Sequence, residues 1–348
     1  AEKIPSWWEI EKIWYPKHLS LEQCSSEITA RYKARLLQGD SLTDLTGGFG
    51  IDCSFLATGF KSATYVERQE ELCEIAAHNF PVLNLNHINI KNEDGVTYLQ
   101  AMSPVDCLFL DPARRNEHGG KTVAISDCEP NVAELEGLLL SKANRIMIKL
   151  SPMLDLSQAL KELPHTQEVH IISVNNECKE LLLLLGQTAP EEIPVHCVNL
   201  STKGEQEKQL FVFTREQEQH SECSYTDTLG NYLYEPNASL LKAGAFRSIA
   251  AAYSVKKLHP NRHLYTSDTQ IEGFPGRTFR IINRCSLNKK EIKENLSDLK
   301  KANITVRNFP ATVAELRKRI KLAEGGDTYL FASTLNDGQK ILIRCGKV

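Results

Sequence analysis

Short apolar segments alternate with helical patterns through the first two hundred residues. The runs at 41–45, 63–66 and 106–110 are separated by amphipathic stretches such as 70–79. They are too uniformly apolar for strands with one face in water, which is typical of a parallel sheet covered by helices on both faces. The same pattern predicts further strands at 88–90, 145–150 and 168–174 and a helix at 131–142.

The segments before and after this region differ from it. Residues 1–40 are predicted to be helical, with Ser25, Ser26 and Glu27 as the cap of a helix at 28–37 that ends at Gly39. The runs at 195–200 and 210–214 predict a hairpin that adds an antiparallel edge to the sheet. The polar stretch at 215–224 is predicted to be a linker.

Beyond that stretch, the pattern predicts a small α+β module. Strands are expected at 278–285 and 304–308, and helices at 289–301 and 313–322. Two last strands, at 329–334 and 340–345, are joined by Asn336-Asp337-Gly338, a strong hairpin signal. The order is therefore βαβαββ.

Length and composition limit the class of protein. A chain of 348 residues with 41% hydrophobic residues can form more than one core. No apolar run approaches the length that spans a bilayer, which excludes an integral membrane protein. We predict four parts: a helical segment at 1–40, a cofactor-binding domain at 41–224, a small segment at 225–275 and a basic α+β domain at 276–348. Because the sequence starts at Ala1 without a methionine, whether residues precede it is left open.

Cysteine usage and charge suggest a compartment and a partner. The ten cysteines are scattered without a Cys-x-x-Cys pair, which is typical of reduced thiols and predicts a cytoplasmic location. From Tyr225 onward there are 21 Lys and Arg against 11 Asp and Glu, a balance of +10, whereas the preceding part carries −13. A basic third beside an acidic remainder suggests that one part binds a polyanion.

A glycine turn follows the first predicted strand. Residues 44–50 read Asp-Leu-Thr-Gly-Gly-Phe-Gly, a loop that lets backbone approach a ligand ahead of a helix. A phosphate-binding P-loop is excluded, because Arg115 occupies the position of the first glycine before Gly120-Lys121-Thr122. A dinucleotide-binding motif is weakened, because Cys53 stands at its third glycine.

This segment resembles motif I of class I S-adenosylmethionine-dependent methyltransferases. Asp44, Gly48 and Gly50 match the acid and the last two glycines, and Thr46 replaces the first glycine, as in some nucleic-acid methyltransferases. In that family the loop wraps the methionine end of the cofactor. The resemblance implies a Rossmann-like α/β fold and S-adenosylmethionine as the cofactor.

Downstream residues match further landmarks of the family in the expected order. Glu67, at the end of the second strand, is placed to accept the ribose hydroxyls, and Asp94 resembles the acid that borders the adenine. Residues 111–115 (Asp-Pro-Ala-Arg-Arg) resemble motif IV, which lies between cofactor and substrate. The predicted cofactor-binding residues are Asp44, Thr46, Gly47, Gly48, Gly50, Glu67, Asp94 and Asp111.

Motif IV leaves the acceptor open. Base amino methyltransferases usually carry Pro and an aromatic residue where this chain has Ala113 and Arg114. The Arg form is similar to pyrimidine C5 RNA methyltransferases, but residues 149–153 (Lys-Leu-Ser-Pro-Met) lack the nucleophilic Cys that those enzymes need. Direct displacement at the sulfonium methyl is then expected, with Asp111 and Arg114 as catalytic residues. Lys149 is interpreted as a charged residue at the end of a strand.

The basic third resembles a THUMP-like C-terminal domain around Arg307-Asn308-Phe309-Pro310, and residues 232–238 resemble the small ferredoxin-like segment that precedes it. THUMP domains occur in tRNA-modifying enzymes, so the resemblance implies RNA as the partner. The predicted RNA-binding residues are Arg115, Arg280, Arg284, Arg317, Lys318, Arg319 and Lys321.

The sequence therefore predicts methylation of a structured RNA such as tRNA or rRNA. Two alternatives remain: a methyltransferase for protein or small molecules, and a non-catalytic RNA-binding protein with a vestigial cofactor fold. No metal site is expected, because Pro260 separates His259 from His263 and no third ligand is evident. The oligomeric state is open.

Overall fold

The structure, a computed structural model, describes residues 3–17, 22–114, 124–203, 208–261, 263–307, 309–335 and 337–348, and for Arg114 the backbone alone. The chain divides into two compact units, Ala1–Lys208 and Gln209–Val348. The division into four parts that the sequence suggests stays a prediction.

Most strands of a nine-stranded sheet belong to the first unit. Its order is β11-β10-β8-β9-β7-β4-β1-β2-β3, and β5 pairs with β6 separately. The strands are β1 Ser41–Asp44, β2 Ser62–Glu67, β3 Ile88–Asn92, β4 Val105–Leu110, β5 Ala113–Arg114, β6 Cys128–Glu129, β7 Ala143–Leu150, β8 Thr166–Val174, β9 Glu177–Gly186, β10 Pro194–Leu200 and β11 Lys208–Thr214.

Helices connect these strands, and apolar side chains of both kinds of element form the core. Among the described residues, the helices of this unit are α1 Pro5–Trp8, α2 Glu27–Ala34, α3 Ile51–Ala57, α4 Glu70–Val82, α5 Gly95–Ala101, α6 Val132–Lys142 and α7 Leu156–Glu162. Strands β1 to β4 and β7 run parallel. Their carboxyl ends therefore meet at one edge of the sheet, where ligands bind in open α/β folds.

The predicted α/β class and its strands are confirmed, with one correction. The sequence pattern predicts no element for the apolar run at 181–185, which in the structure belongs to β9 and lies antiparallel between β7 and β8. The turn into β9 is formed by Asn175 and Asn176, both with positive φ. Two asparagines in that conformation favour a tight hairpin, so this signal was present in the sequence.

The second unit contains a seven-stranded sheet of order β13-β14-β12-β15-β18-β17-β16. Its strands are β12 Tyr232–Pro236, β13 Lys256–Lys257, β14 Tyr265–Ser267, β15 Gly276–Cys285, β16 Asn303–Val306, β17 Thr328–Thr334 and β18 Lys340–Lys347. Its helices are α8 Arg215–His220, α9 Ala238–Ala243, α10 Arg247–Tyr253, α11 Lys289–Leu296 and α12 Val313–Ile320.

The predicted βαβαββ order is confirmed in this unit by β15, α11, β16, α12, β17 and β18. The stretch at 215–224, predicted to be a linker, instead contains α8, whose N-cap Thr214 forms a capping box with Gln217. Every helix in the described part of the chain is too short or too polar to cross a membrane.

Candidate active site

A cleft of about 540 Å³ lies at the carboxyl edge of the first unit's sheet. This volume is typical of small-molecule sites. All eight predicted cofactor-binding residues line the cleft, so residues spread over sixty-eight positions of the chain meet in one place. Of the other predictions for motif IV, the Arg114 side chain and Arg115 lie outside what the structure describes.

The glycine loop after β1 is packed tightly against Tyr65. A Cβ atom on Gly47 would lie 2.2 Å from the Tyr65 ring, and the Tyr65 hydroxyl donates to the Gly48 carbonyl at 2.5 Å. Gly48 and Gly50 have φ of +54° and +84°, which other residues adopt only with strain. The loop therefore needs glycine to keep its backbone open to the cleft.

Thr46 connects the glycine loop to motif IV. Its amide donates to Asp44 Oδ1 at 2.9 Å, and its hydroxyl accepts from the Asp111 amide at 2.6 Å. Glycine has no hydroxyl, so the departure from the family pattern at this position supplies a hydrogen bond that joins β1 to the end of β4.

Asp44 is buried, and only one of its two carboxyl oxygens has a hydrogen-bond partner. Its Oδ2 atom has no hydrogen-bond partner, although the residue is 1% exposed and lines the cleft. Burial, with further contributions from Asp52, Asp111 and Glu67, raises the pKa of Asp44 to about 8. A buried carboxyl oxygen without a partner at a cleft wall fits a ligand that forms a hydrogen bond there, and a ligand that donates to this oxygen would favour its carboxylate form.

The raised pKa of Asp44 predicts a pH dependence of stability. The folded protein holds this proton more tightly than the unfolded chain, whose pKa is near 3.8. Stability of the ligand-free protein should therefore fall as pH rises from about 4 to 8. Asp44→Asn removes this contribution. Between pH 5 and pH 8, the free energy of unfolding in urea should therefore rise by about 1 kcal/mol or more in the variant relative to wild type. Parallel pH curves for the two proteins would contradict this assignment.

Glu67 and Asp94 are held by backbone donors at the ends of β2 and β3. Glu67 Oε2 accepts from the Gly48 amide at 2.9 Å, and Oε1 accepts from the Gln69 amide at 2.8 Å. Asp94 Oδ1 caps α5 by accepting from the Val96 and Thr97 amides, both at 3.0 Å. Glu67 thus supports the glycine loop directly, whereas Asp94 is a helix cap that also borders the cleft.

A buried network of charges lies behind Asp111, and sequence reasoning missed it. Lys149 Nζ, at the end of β7, lies 2.5 Å from Asp111 Oδ2 and 3.3 Å from Asp52 Oδ2. Burial lowers the pKa of Lys149, but the carboxylates of Asp111, Asp52 and Glu180 raise it well above its ordinary value overall. Lys149 is therefore an ammonium ion in contact with the motif IV carboxylate.

Lys33 forms the second half of this network. Its Nζ lies 2.9 Å from Asp52 Oδ1 and 2.7 Å from Glu180 Oε2, and Ser25 Oγ lies within 3.0 Å of both lysine Nζ atoms. Burial raises the pKa of Asp52, but the two lysines hold it well below its ordinary value. Two lysines and three carboxylates thus connect α2, α3 and β9 to the cleft.

The predicted RNA-binding residues of the second unit fall into two groups. Arg317 donates to the Ala302 carbonyl at 3.1 Å and Arg319 to the Leu287 carbonyl at 2.6 Å, so both also hold the module together. The other four present exposed side chains, namely Arg280, Arg284, Lys318 and Lys321.

A second cluster of titratable groups, outside the cleft, joins β8 and β10. The His170 and His196 rings stack 4.3 Å apart at 8°, and burial lowers the pKa of His196 to about 4. Glu168 accepts from Arg145 at 2.7 Å, and His170 and Arg145 lower the pKa of Glu168 to about 2. Glu168, His170 and His196 each offer one ligand atom, and these atoms lie within 4.8 Å of one another, so this cluster is a candidate metal site outside the cleft.

Two models of domain families match the second unit. A ferredoxin-like domain matches residues 232–275, and a THUMP domain-like family matches residues 276–347. A comparison with curated proteins gives no significant match.

Solved structures are similar to the chain at very different levels. A proposed methyltransferase from Porphyromonas gingivalis W83 has 38% identity and a TM-score of 0.90, over 99% of this chain and 86% of that one. A modification subunit of a proposed type I restriction enzyme from Vibrio vulnificus YJ016 has 12% identity and a TM-score of 0.40, over 58% and 56% of the two chains. A proposed methyltransferase from Streptococcus mutans, in complex with SAH, has 13% identity and a TM-score of 0.33, over 46% and 96%.

The sheet order and the cleft at its carboxyl edge define a class I methyltransferase fold. The chain belongs to the family of the Porphyromonas gingivalis protein, class I methyltransferases with a THUMP-like C-terminal domain.

Proposed function

We propose that this protein uses S-adenosylmethionine to methylate a structured RNA, such as tRNA or rRNA. The observation that carries the proposal is the convergence of the glycine loop, Glu67, Asp94 and Asp111 on one cleft whose wall includes a buried, unpartnered Asp44 oxygen. The basic second unit, with its THUMP-like domain, is the proposed RNA-binding part.

The residues present fit the cofactor. Asp44 Oδ2 is a buried oxygen without a partner at the cleft wall, and the loop at 46–50 lines the cleft. We assign Asp44 and the loop to the methionine end, Glu67 to the ribose and Asp94 to the adenine side. When bound, S-adenosylmethionine supplies a methyl group on a positively charged sulfur.

The chain's own groups then orient the acceptor. Thr46 fixes the backbone of Asp111, and Lys149 fixes its carboxylate, so the position of this side chain is defined from two sides. Alignment of this kind supplies much of the rate of a direct displacement. Arg114 is proposed to hold a phosphate of the RNA.

The RNA-binding surface yields a prediction about salt dependence. Arg280→Ala with Arg284→Ala should weaken RNA binding and reduce the slope of log K against log[salt] by about 1–2, because each phosphate contact releases counterions. Filter binding or fluorescence anisotropy at several salt concentrations measures this slope. Lys17→Ala with Lys61→Ala, which removes the same charge from exposed lysines of the first unit, is the matched control. Equal slopes in both double variants would show that β15 is not part of the RNA-binding surface.

The function as a whole is tested by labelling. The purified protein and methyl-labelled S-adenosylmethionine are added to an extract of cells that lack the protein, and the products are sorted by RNase, DNase and protease sensitivity. RNase-sensitive label that requires Asp111 is the expected result.

The same experiment separates the alternatives. Label that survives RNase but is lost to protease would indicate a protein substrate, and label in small molecules would indicate a small-molecule substrate. In either case the protein would still be a methyltransferase. Cofactor binding without any transfer would favour a non-catalytic RNA-binding protein.

A further inference from the structure

The Lys149–Asp111 pair gives motif IV an electrostatic character that bears on the acceptor atom. Both side chains line the cleft, and the Asp111 side chain is 36% exposed whereas the Lys149 side chain is 10% exposed. An acceptor that enters the cleft therefore meets the carboxylate first, with an ammonium ion in contact with that carboxylate. The ammonium is held in place by Ser25 at 3.0 Å and Asp52 at 3.3 Å.

This pair is poorly suited to a nitrogen acceptor. A neutral amine or ring nitrogen that attacks the methyl group acquires positive charge, and an unpaired carboxylate nearby would stabilise it. Here one oxygen of Asp111 is already paired with Lys149, and the ammonium repels a second positive charge. The arrangement therefore cancels most of the benefit that a carboxylate brings to amine methylation.

A hydroxyl acceptor has the opposite requirements. As the oxygen attacks, its proton must leave, and partial negative charge develops on the oxygen. A carboxylate can take the proton, and an adjacent ammonium stabilises the developing charge. Asp111 and Lys149 supply both groups within 2.5 Å of each other.

The walls of the cleft also argue against recognition of an extruded base. Enzymes that act on a base usually stack it against an aromatic side chain. Among the described residues that line this cleft, the aromatic ones are Phe49 and Phe109, which are 4% and 1% exposed. Neither ring presents a free face to a ligand, and Arg114 stands at the aromatic position of motif IV.

On the basis of the proposed function, we propose that the acceptor is a ribose 2′-hydroxyl of the RNA, that Asp111 receives its proton and that Lys149 is a positioning residue for Asp111. In this step a bond forms between the hydroxyl oxygen and the methyl carbon. The carbon–sulfur bond breaks, and its electron pair stays on sulfur. The hydroxyl proton passes to the Asp111 carboxylate, which returns it to solvent through its exposed side.

The position of the methyl group tests this directly. RNA labelled by the wild-type protein is hydrolysed in alkali, which cleaves after every ribose with a free 2′-hydroxyl. Label in alkali-resistant dinucleotides is the expected result. Label in mononucleotides, on the base, overturns the hydroxyl acceptor and leaves RNA methylation intact. Absence of label from RNA overturns the proposed function and this inference with it.

Variants at Lys149 test its role separately. Lys149→Met should lower kcat about 100-fold or more and change cofactor affinity, measured by calorimetry, by less than threefold. Desolvation raises the pKa of Asp111 and Lys149 opposes that shift, so loss of the ammonium should move the acidic limb of the kcat profile to higher pH. Lys149→Arg retains the positive charge and should leave the limb near its wild-type position. A Lys149→Met protein with unchanged kcat and pH profile would reduce Lys149 to a structural ion-pair partner. The label position is measured on wild type and does not depend on whether the variants fold.

Discussion

Lys33→Met is expected to destabilise the protein by about 3–5 kcal/mol, because removing one partner of a buried ion pair leaves the others uncompensated. The Lys33 side chain is fully buried and lies 2.9 Å from Asp52 and 2.7 Å from Glu180. Both carboxylates would lose their closest cation, and Asp52 would keep only Lys149. The shift of the urea unfolding midpoint at constant slope measures the loss.

Lys61→Met is the matched control for this prediction. Lys61 also lies 2.9 Å from a carboxylate, that of Asp40, but both side chains are mostly exposed. Exposed pairs contribute about 1 kcal/mol or less. Similar midpoint shifts for the two variants would show that the network around Lys33 does not stabilise the fold.

Glu67→Ala is expected to weaken S-adenosylmethionine binding about 100-fold. The carboxylate accepts hydrogen bonds from the Gly48 and Gln69 amides, so its loss releases the glycine loop and removes the proposed ribose acceptor together. Two charge-assisted hydrogen bonds lost at about 1.5 kcal/mol each correspond to that factor. Calorimetric titration with the cofactor measures the change.

Glu70→Ala serves as the control, because it removes the same side chain three residues later, at an exposed position in the first turn of α4. Cofactor affinity should be unchanged in this variant, and RNA binding should be unchanged in both. Wild-type cofactor affinity in Glu67→Ala would contradict the assignment of the cleft.

The cleft was predictable because its residues follow strands. Apolar runs mark β1, β2 and β4, and in a parallel sheet their carboxyl ends meet, so Asp44, Glu67 and Asp111 had to approach one another. The glycines of the loop after β1 also indicate a turn, because glycine adopts positive φ without strain.

The charge network was not predictable in the same way. Lys33, Asp52, Lys149 and Glu180 lie on four separate elements, and each looks like an ordinary surface charge in its own segment. Only the packing of α2 and α3 against the sheet, with β9 inserted antiparallel, places them within 3.3 Å of a partner. Charged residues are rarely buried unless paired, so the pairing is visible only once all four elements are in place.

The role of Thr46 could be predicted only in part. The substitution of glycine in the motif was evident in the sequence, but its effect depends on the Asp111 amide, sixty-five residues away. A side-chain hydroxyl at this position is informative only when the register of β1 and β4 is known.

Methylation of RNA by this protein is tested most simply by methyl incorporation with purified components. The full chain is incubated with labelled S-adenosylmethionine and size-fractionated tRNA and rRNA from cells that lack it, and label per RNA molecule is followed to completion for wild type and for Asp111→Asn. Incorporation into one RNA fraction should reach a plateau with wild type and fall at least 100-fold in rate with the variant. Incorporation into no RNA fraction, or incorporation at equal rates with both proteins, would contradict it.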